Sequence, residues 1–134
     1  MKNILIITIL ATSGFLNIAQ AGELAVVVGA NSPAATMTAE QVSQIFLGKP
    51  SSLVPVDQAE NATKNDFYKK VTDKELSQVK SIWSKIAFTG KGVPPKEVGG
   101  NSEVKKHVAS DPKAIGYIDK SAVDGSVKVI LTVQ

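Results

Sequence analysis

The sequence predicts an α/β domain in which a mixed β-sheet is flanked by helices. Residues 24–28 form a continuous apolar run, which is typical of a buried strand. Between residues 76 and 86, apolar side chains recur at intervals of three and four, which indicates a helix. Residues 127–133 alternate between apolar and polar side chains over most of their length, as a half-buried strand does. Because strand and helix patterns take turns along the chain, we assign it to the α/β class.

The composition restricts the kind of protein this is. The chain has 134 residues, a formal net charge of +3 and no cysteine, and its fifteen basic residues are all lysines. Its length fits one domain. Without cysteine there is no disulfide and no thiolate nucleophile or metal ligand. Without arginine there is no bidentate clamp for phosphate or guanine, and the small, scattered charge predicts no nucleic-acid partner.

The first 21 residues are typical of a secretory signal peptide. Lys2 precedes an apolar stretch at residues 4–18, and Ala19-Gln20-Ala21 places small residues where a signal peptidase reads them. A membrane anchor is the alternative, but polar residues interrupt a stretch that should hold about 20 apolar ones. We therefore expect cleavage after Ala21 and a periplasmic domain at residues 22–134. With no cysteine at the junction, it should not be a lipoprotein.

In the first half of the domain, a helix and a short strand follow the strand at residues 24–28. Thr38 and Gln41 form a capping box at the start of the helix, and Gly48 stands where a helix ends. Residues 53–56 predict the short strand. Its Pro55 favours an edge strand or a strand end.

The middle of the chain reads as a polar stretch at residues 57–66 followed by a long helix. Thr63 is a plausible N-cap within the polar stretch. Thr72 and Glu75 form a second capping box before the helix that reaches residue 86. Residues 88–95 are rich in glycine and proline and predict irregular structure.

The last third predicts a short helix and two strands. Asn101 or Ser102 caps the helix, and residues 114–118 form the first strand. Asp124 and Gly125 mark the turn before the last strand.

The sequence offers no catalytic or metal-binding constellation. His107 is the only histidine, and a metal site needs several ligands at defined spacing. Gly48-Lys49 is not part of a P-loop, since Ser43 stands where its first glycine belongs. Asp57 and Glu60 are predicted to be solvated acids of a polar loop. We therefore expect a protein that is not an enzyme and that carries no cofactor.

The start of the helix after residue 60 is the best candidate for a ligand site. A helix N-terminus offers free N–H groups and a partial positive charge, so it attracts anions. Here a threonine adds a hydroxyl and a lysine adds charge. The alternative is that these residues only cap their helix, as Ser102 would cap the next one. The candidate site residues are Asn61, Ala62, Thr63, Lys64 and Asn65, with Asn31 and Ser32 as additional contacts if the sheet brings them close.

Three stretches of the chain together resemble a known family. They are residues 44–49, residues 82–95 and residues 108–118, with sequences QIFLGK, IWSKIAFTGKGVPP and VASDPKAIGYI. In order and spacing they are similar to the phosphate-binding (substrate-binding) proteins of phosphate ABC transporters. The resemblance implies one lobe of a periplasmic-binding-protein fold of the second type, whose full-length members close two lobes on the ligand.

The chain departs from this family where phosphate is bound. The resemblance implies an arginine, an acidic residue and a Gly-Ser-Gly-Thr turn after the second strand. Here Asp57 or Gln58 stands at the place of the arginine, and residues 61–64 replace the turn.

Two functions follow as hypotheses. The first is a periplasmic solute-binding protein that takes phosphate or a similar small anion and works with an ABC transporter permease or a sensor protein. A partner or a homodimer would then supply the second lobe, and the protein would meet the membrane only through a partner. The alternative is a single-lobe interaction or sensory module that has lost phosphate binding and docks a protein partner.

Overall fold

The computed structural model describes residues 22–134, and the predicted signal peptide lies outside them. The domain has five strands, four α-helices and two short helical turns. The strands are β1 (Leu24–Gly29), β2 (Val54–Gln58), β3 (Lys96–Val98), β4 (Ala114–Asp119) and β5 (Val127–Val133). The helices are α1 (Ala39–Phe46), α2 (Ala62–Phe67), α3 (Leu76–Phe88) and α4 (Asn101–Ser110). A π-helical turn, Tyr68–Thr72, continues α2, and a 3₁₀ turn, Lys120–Ala122, follows β4.

The strands form one mixed sheet in the order β3-β2-β4-β1-β5. Strand β2 runs parallel to both β3 and β4, whereas β1 runs antiparallel to β4 and β5. The carboxyl ends of β2 and β4 therefore meet at one end of the sheet. Leu24, which begins β1, pairs with Asp119 at that same end. The mixed sheet flanked by helices that the sequence predicts is confirmed.

Helices cover both faces of the sheet. Alternate residues of β1 point to opposite faces, so Val26 joins one apolar cluster and Val27 joins the other. Helices α1, α2 and α3 pack with Val26, and Phe46, Phe67 and Trp83 are their largest buried side chains. Helix α4 packs alone on the opposite face.

Several predicted element boundaries are confirmed. The Thr38–Gln41 capping box is present at the start of α1, and Gly48 follows that helix with a φ of 94°. Pro55 is the second residue of β2, so its strand-end reading is confirmed. Its edge reading is wrong, because β2 lies between β3 and β4.

Other local predictions were wrong or incomplete. Glu75, not Thr72, caps α3 and forms a capping box with Gln78. Helix α4 begins after Gly100 with no side-chain cap, so neither Asn101 nor Ser102 caps it. The short strand β3 was not predicted, since its three residues have no strand pattern and are held by pairing with β2.

Candidate functional site at the carboxyl ends of strands β2 and β4

A buried carboxylate occupies the carboxyl end of β2. Asp57 is 4% exposed, so its prediction as a solvated loop acid is wrong. Its Oδ1 accepts hydrogen bonds from the Tyr117 hydroxyl and from the backbone N–H of Gln58, the latter at 2.9 Å. Its Oδ2 accepts a hydrogen bond from the Tyr68 hydroxyl at 2.7 Å and lies 3.5 Å from Lys64 Nζ. These donors offset the cost of burying the charge.

Lys64 turns its ammonium group into the protein. Its side chain is 6% exposed, and its Nζ lies 2.7 Å from Glu97 Oε1 on β3 as well as near Asp57. These two ion pairs hold α2 against the β2–β3 edge of the sheet. The Lys64–Asp57 pair is buried, so removing one partner would leave the other as an uncompensated buried charge, and the contact constrains the fold. The lysine charge predicted for the helix start is therefore directed away from it.

Two tyrosines complete this cluster. Burial, reinforced by the charge of Asp57 and the hydrogen bonds to it, raises the pKa of both Tyr68 and Tyr117 far above the ordinary value. Their rings are fixed by aromatic neighbours, and the Phe67 and Tyr117 rings stack with centroids 3.9 Å apart. The phenols thus stay protonated and donate to Asp57.

A second polar network connects the starts of α2 and α4. Asn61, not Thr63, is the N-cap of α2, because its Oδ1 accepts a hydrogen bond from Lys64 N at 2.8 Å. Thr63 is the second helical residue, and its hydroxyl donates to the two carboxylate oxygens of Asp119 at 3.3 and 3.4 Å. Asn101 Nδ2, in the first residue of α4, donates to Asp119 Oδ2 at 2.7 Å. One carboxylate therefore lies at the starts of both helices.

Gln58 joins the two networks. Its Nε2 donates to Tyr117 O at 2.9 Å and to Asn101 Oδ1 at 3.1 Å. Its Oε1 accepts from Asn61 Nδ2 at 3.0 Å. Among residues 22–134, every buried side-chain nitrogen or oxygen atom has a hydrogen-bond partner. The end of the sheet is thus a fixed, fully bonded polar surface.

The predicted site residues do not all come together. Asn61, Thr63 and Lys64 lie at the start of α2 as described, with Ala62 and Asn65 exposed beside them. Asn31 and Ser32 follow β1, whose carboxyl end lies at the opposite end of the sheet because β1 is antiparallel to β4. Ser32 is buried there, where its carbonyl accepts a hydrogen bond from Lys128 Nζ at 2.8 Å. The sheet therefore does not bring Asn31 and Ser32 close to the start of α2.

Two openings adjoin the networks. A cleft of about 370 Å³ between α3 and the segment before β3 has Asp57, Lys64 and Glu97 at one end and an apolar wall that includes Trp83 and Pro94. A shallow depression lies over Asp119 and includes Glu23 and Lys120, whose side chains form an ion pair at 2.7 Å.

Over residues 22–134, no group of three or more histidine and carboxylate side chains is placed to hold a metal ion. None of the helices in this range is both long enough and apolar enough to cross a membrane.

Comparison with known proteins identifies the fold. No protein-family model matches the sequence, and no curated protein does either. Solved structures do match. An ABC-type phosphate transport receptor from Vibrio cholerae has a TM-score of 0.63 and 26% identity over 80% of this chain and 45% of its own. The described domain has the fold of one part of a phosphate-binding protein.

Other matches agree with this one. A protein from Clostridium perfringens, described as a phosphate ABC transporter substrate-binding protein with bound phosphate, has a TM-score of 0.64 and 22% identity over 81% of this chain and 45% of its own. PstS from Borrelia burgdorferi has a TM-score of 0.58 and 12% identity over 81% of this chain and 47% of its own. The resemblance predicted from the sequence is confirmed. The chain spans less than half the length of each of these proteins.

Sequence reasoning missed several residues of the site. Asn101 was considered only as a helix cap, and Asp119 was not singled out, although it directly follows the strand predicted at residues 114–118. Tyr68 and Tyr117 were not predicted to belong to the site, because nothing in the local sequence shows that their hydroxyls share one carboxylate.

Proposed function

We propose that this protein is a periplasmic solute-binding protein that takes phosphate or a similar small anion at the start of α2. One observation carries the proposal. The Thr63 hydroxyl, the Asp119 carboxylate and the Asn101 amide converge between two helix starts, in a fold shared with phosphate-binding proteins.

The chemistry of these groups suits phosphate better than sulfate. The first turn of α2 supplies the backbone N–H groups of Ala62 and Thr63, which have no partner within the helix, and Thr63 supplies a hydroxyl donor that would turn from Asp119 to the anion. At neutral pH phosphate keeps a proton, which it can donate to Asp119, whereas sulfate has none and meets only the negative charge. Asp119 thus acts as the hydrogen-bond acceptor that selects phosphate.

The proposed site binds weakly. The ammonium of Lys64 is engaged by Asp57 and Glu97, so it contributes by holding α2 in place and not by contacting the anion. The depression over Asp119 is open, and an anion there keeps much of its hydration. Higher affinity requires a second surface, which a permease, a sensor protein or a second copy of the chain would supply.

The test is thermal unfolding of the purified protein with phosphate, with sulfate and with chloride at equal ionic strength. A bound ligand stabilises the folded state by RT ln(1 + [L]/Kd), which is about 2.7 kcal/mol at a hundredfold excess over Kd. Phosphate should raise the Tm in a saturable way and sulfate should not. Thr63→Val should remove the phosphate effect, while Ser102→Ala, an exposed hydroxyl at the start of α4, should leave it intact.

Asp119→Asn separates the two parts of the proposal. If Asp119 accepts a hydrogen bond from phosphate, removing its charge should make the changes in Tm caused by sulfate and by phosphate similar. A Tm that phosphate does not change would contradict anion binding. A phosphate effect that survives Thr63→Val would place the site elsewhere.

A second candidate function, an interaction lobe that docks a protein partner, is favoured by a different observation. Phe88, Val93 and Val54 are large apolar side chains that are 93%, 81% and 55% exposed. Apolar side chains grouped on a surface often mark a protein interface.

A further inference from the structure

A groove beside α3, on the face of the sheet opposite α4, combines an apolar floor with positive charge. We define the Trp83 groove as the groove of about 540 Å³ that runs between the end of α1, the start of β2 and the segment before β3. Trp83, Ile45 and Leu53 lie in its floor, and Val54 and Val93 are its exposed apolar residues. Its charged residues are two lysines, Lys49 and Lys96.

The floor of the groove is closely packed. Trp83 Nε1 donates a hydrogen bond to Phe46 O at 2.9 Å, which fixes the indole ring. Gly48, with φ at 94°, brings the backbone so close that a Cβ there would lie 2.3 Å from Ile86 Cδ1 and 3.4 Å from the Trp83 ring. A partner would therefore meet a preformed surface and pay little to order it.

The charged side chains that line the groove have one sign. They are Lys49 and Lys96, and no carboxylate lines the groove. Neither lysine has a carboxylate within ion-pair distance among residues 22–134. The partner that complements such a surface is both apolar and negatively charged.

We infer that the Trp83 groove docks an acidic, apolar segment of a protein partner, with apolar side chains over Trp83 and carboxylates on Lys49 and Lys96. The concave shape favours a polypeptide segment over a lipid surface, which would be met by a protruding face. This inference rests on the second candidate function and is independent of anion binding at α2.

The test uses the purified protein and a short amphipathic peptide of leucine and glutamate. Trp83 is the only tryptophan of the chain, so its fluorescence reports binding without a label. Because Trp83 also lines the cleft beside Asp57, the substitutions below are needed to assign the binding to the groove. The peptide should change the Trp83 emission in a saturable, salt-sensitive way. A leucine–lysine peptide and a serine–glutamate peptide should not, because each lacks one half of the complementarity.

Matched substitutions locate the binding. Lys49→Glu and Lys96→Glu should each raise the Kd for the peptide about tenfold or more. Lys106→Glu makes the same change of charge on α4, on the opposite face of the sheet, and should leave the Kd unchanged. Val93→Asp should weaken binding because it replaces an apolar contact of the groove with a negative charge. The thermal unfolding of each variant is measured alongside, to check that the variant is folded. The effect of phosphate on the Tm is a separate measurement, which tests anion binding at α2.

Several outcomes would overturn the inference. These are the absence of binding at about 1 mM peptide, equal binding of the leucine–lysine peptide, and a Kd that Lys96→Glu leaves unchanged. Binding to vesicles that contain anionic lipid, without binding of the peptide, would assign the groove to a membrane. A dimer in sedimentation that Lys96→Glu dissociates would assign it to a second copy of the chain.

Discussion

Asp57 shows how one residue can determine the chemistry of its surroundings. Its carboxylate is buried and accepts hydrogen bonds from two tyrosines and a backbone N–H, with Lys64 3.5 Å away. In the family that the sequence resembles, an arginine is implied near this position. With a carboxylate here, the nearest cation neutralises Asp57 and is lost to any ligand. This is why the proposed anion contact shifts from the lysine charge to Thr63 and Asp119.

The phenols of this cluster predict how stability depends on pH. Tyr68 and Tyr117 are the only tyrosines, and burial raises the pKa of both in the folded state. The unfolded chain therefore loses its phenol protons first, above a pH of about 10. The stability that the phenols contribute is complete below that pH, and it should fall by about 2.7 kcal/mol per pH unit above it.

This is measured by denaturant unfolding at a series of alkaline pH values, with the ultraviolet absorbance of phenolate followed in parallel. Phenolate should appear together with unfolding. Tyr68→Phe, which leaves one phenol, should halve the slope. Phenolate that forms near pH 10 while the circular dichroism stays native would show that the phenols are accessible.

At the scale of elements, the sequence predicts what is held by local contacts. The capping box of α1 was found because Thr38 and Gln41 bond to backbone groups three positions away. Gly48 was found because few other residues adopt a positive φ.

Elements held by distant contacts escaped prediction. Strand β3 exists because it pairs with β2. Lys64 is buried because it pairs with Glu97, which lies 33 positions further along the chain. The site depends on such contacts. Its helix start was therefore located, and its hydrogen-bond partners were not.

Strand β1 and helix α4 lie so close that they exclude a side chain. A Cβ on Gly29 would lie 2.3 Å from the carbonyl oxygen of Val108, a backbone atom that cannot turn away. Gly29→Ala should therefore push α4 off the sheet and lower the free energy of unfolding by about 1–3 kcal/mol. Urea unfolding measures this.

Gly125→Ala is the matched control, because no atom lies within 4 Å of the position of its added Cβ. It should change stability little. Equal stabilities of the two variants would mean that α4 and β1 are packed less tightly than described.

At the scale of the whole molecule, the residues that directly follow the predicted cleavage point are held by the fold. Backbone and side chain both hold Glu23, since Lys120 N donates to its carbonyl at 2.8 Å and Lys120 Nζ pairs with its carboxylate at 2.7 Å. Strand β1 starts at the next residue. A chain cleaved after Ala21 would keep strand β1 and both contacts between Glu23 and Lys120.

This leads to a prediction about export. Cells that express the full sequence should accumulate a periplasmic chain whose mass corresponds to residues 22–134. Ala21→Leu should block this processing, because the peptidase accepts only a small residue at that position. Gln20→Asn, between the two positions that are read, should be processed normally. Intact-mass spectrometry of periplasmic and membrane fractions distinguishes the outcomes, and an unprocessed chain held in the membrane would identify residues 1–21 as an anchor.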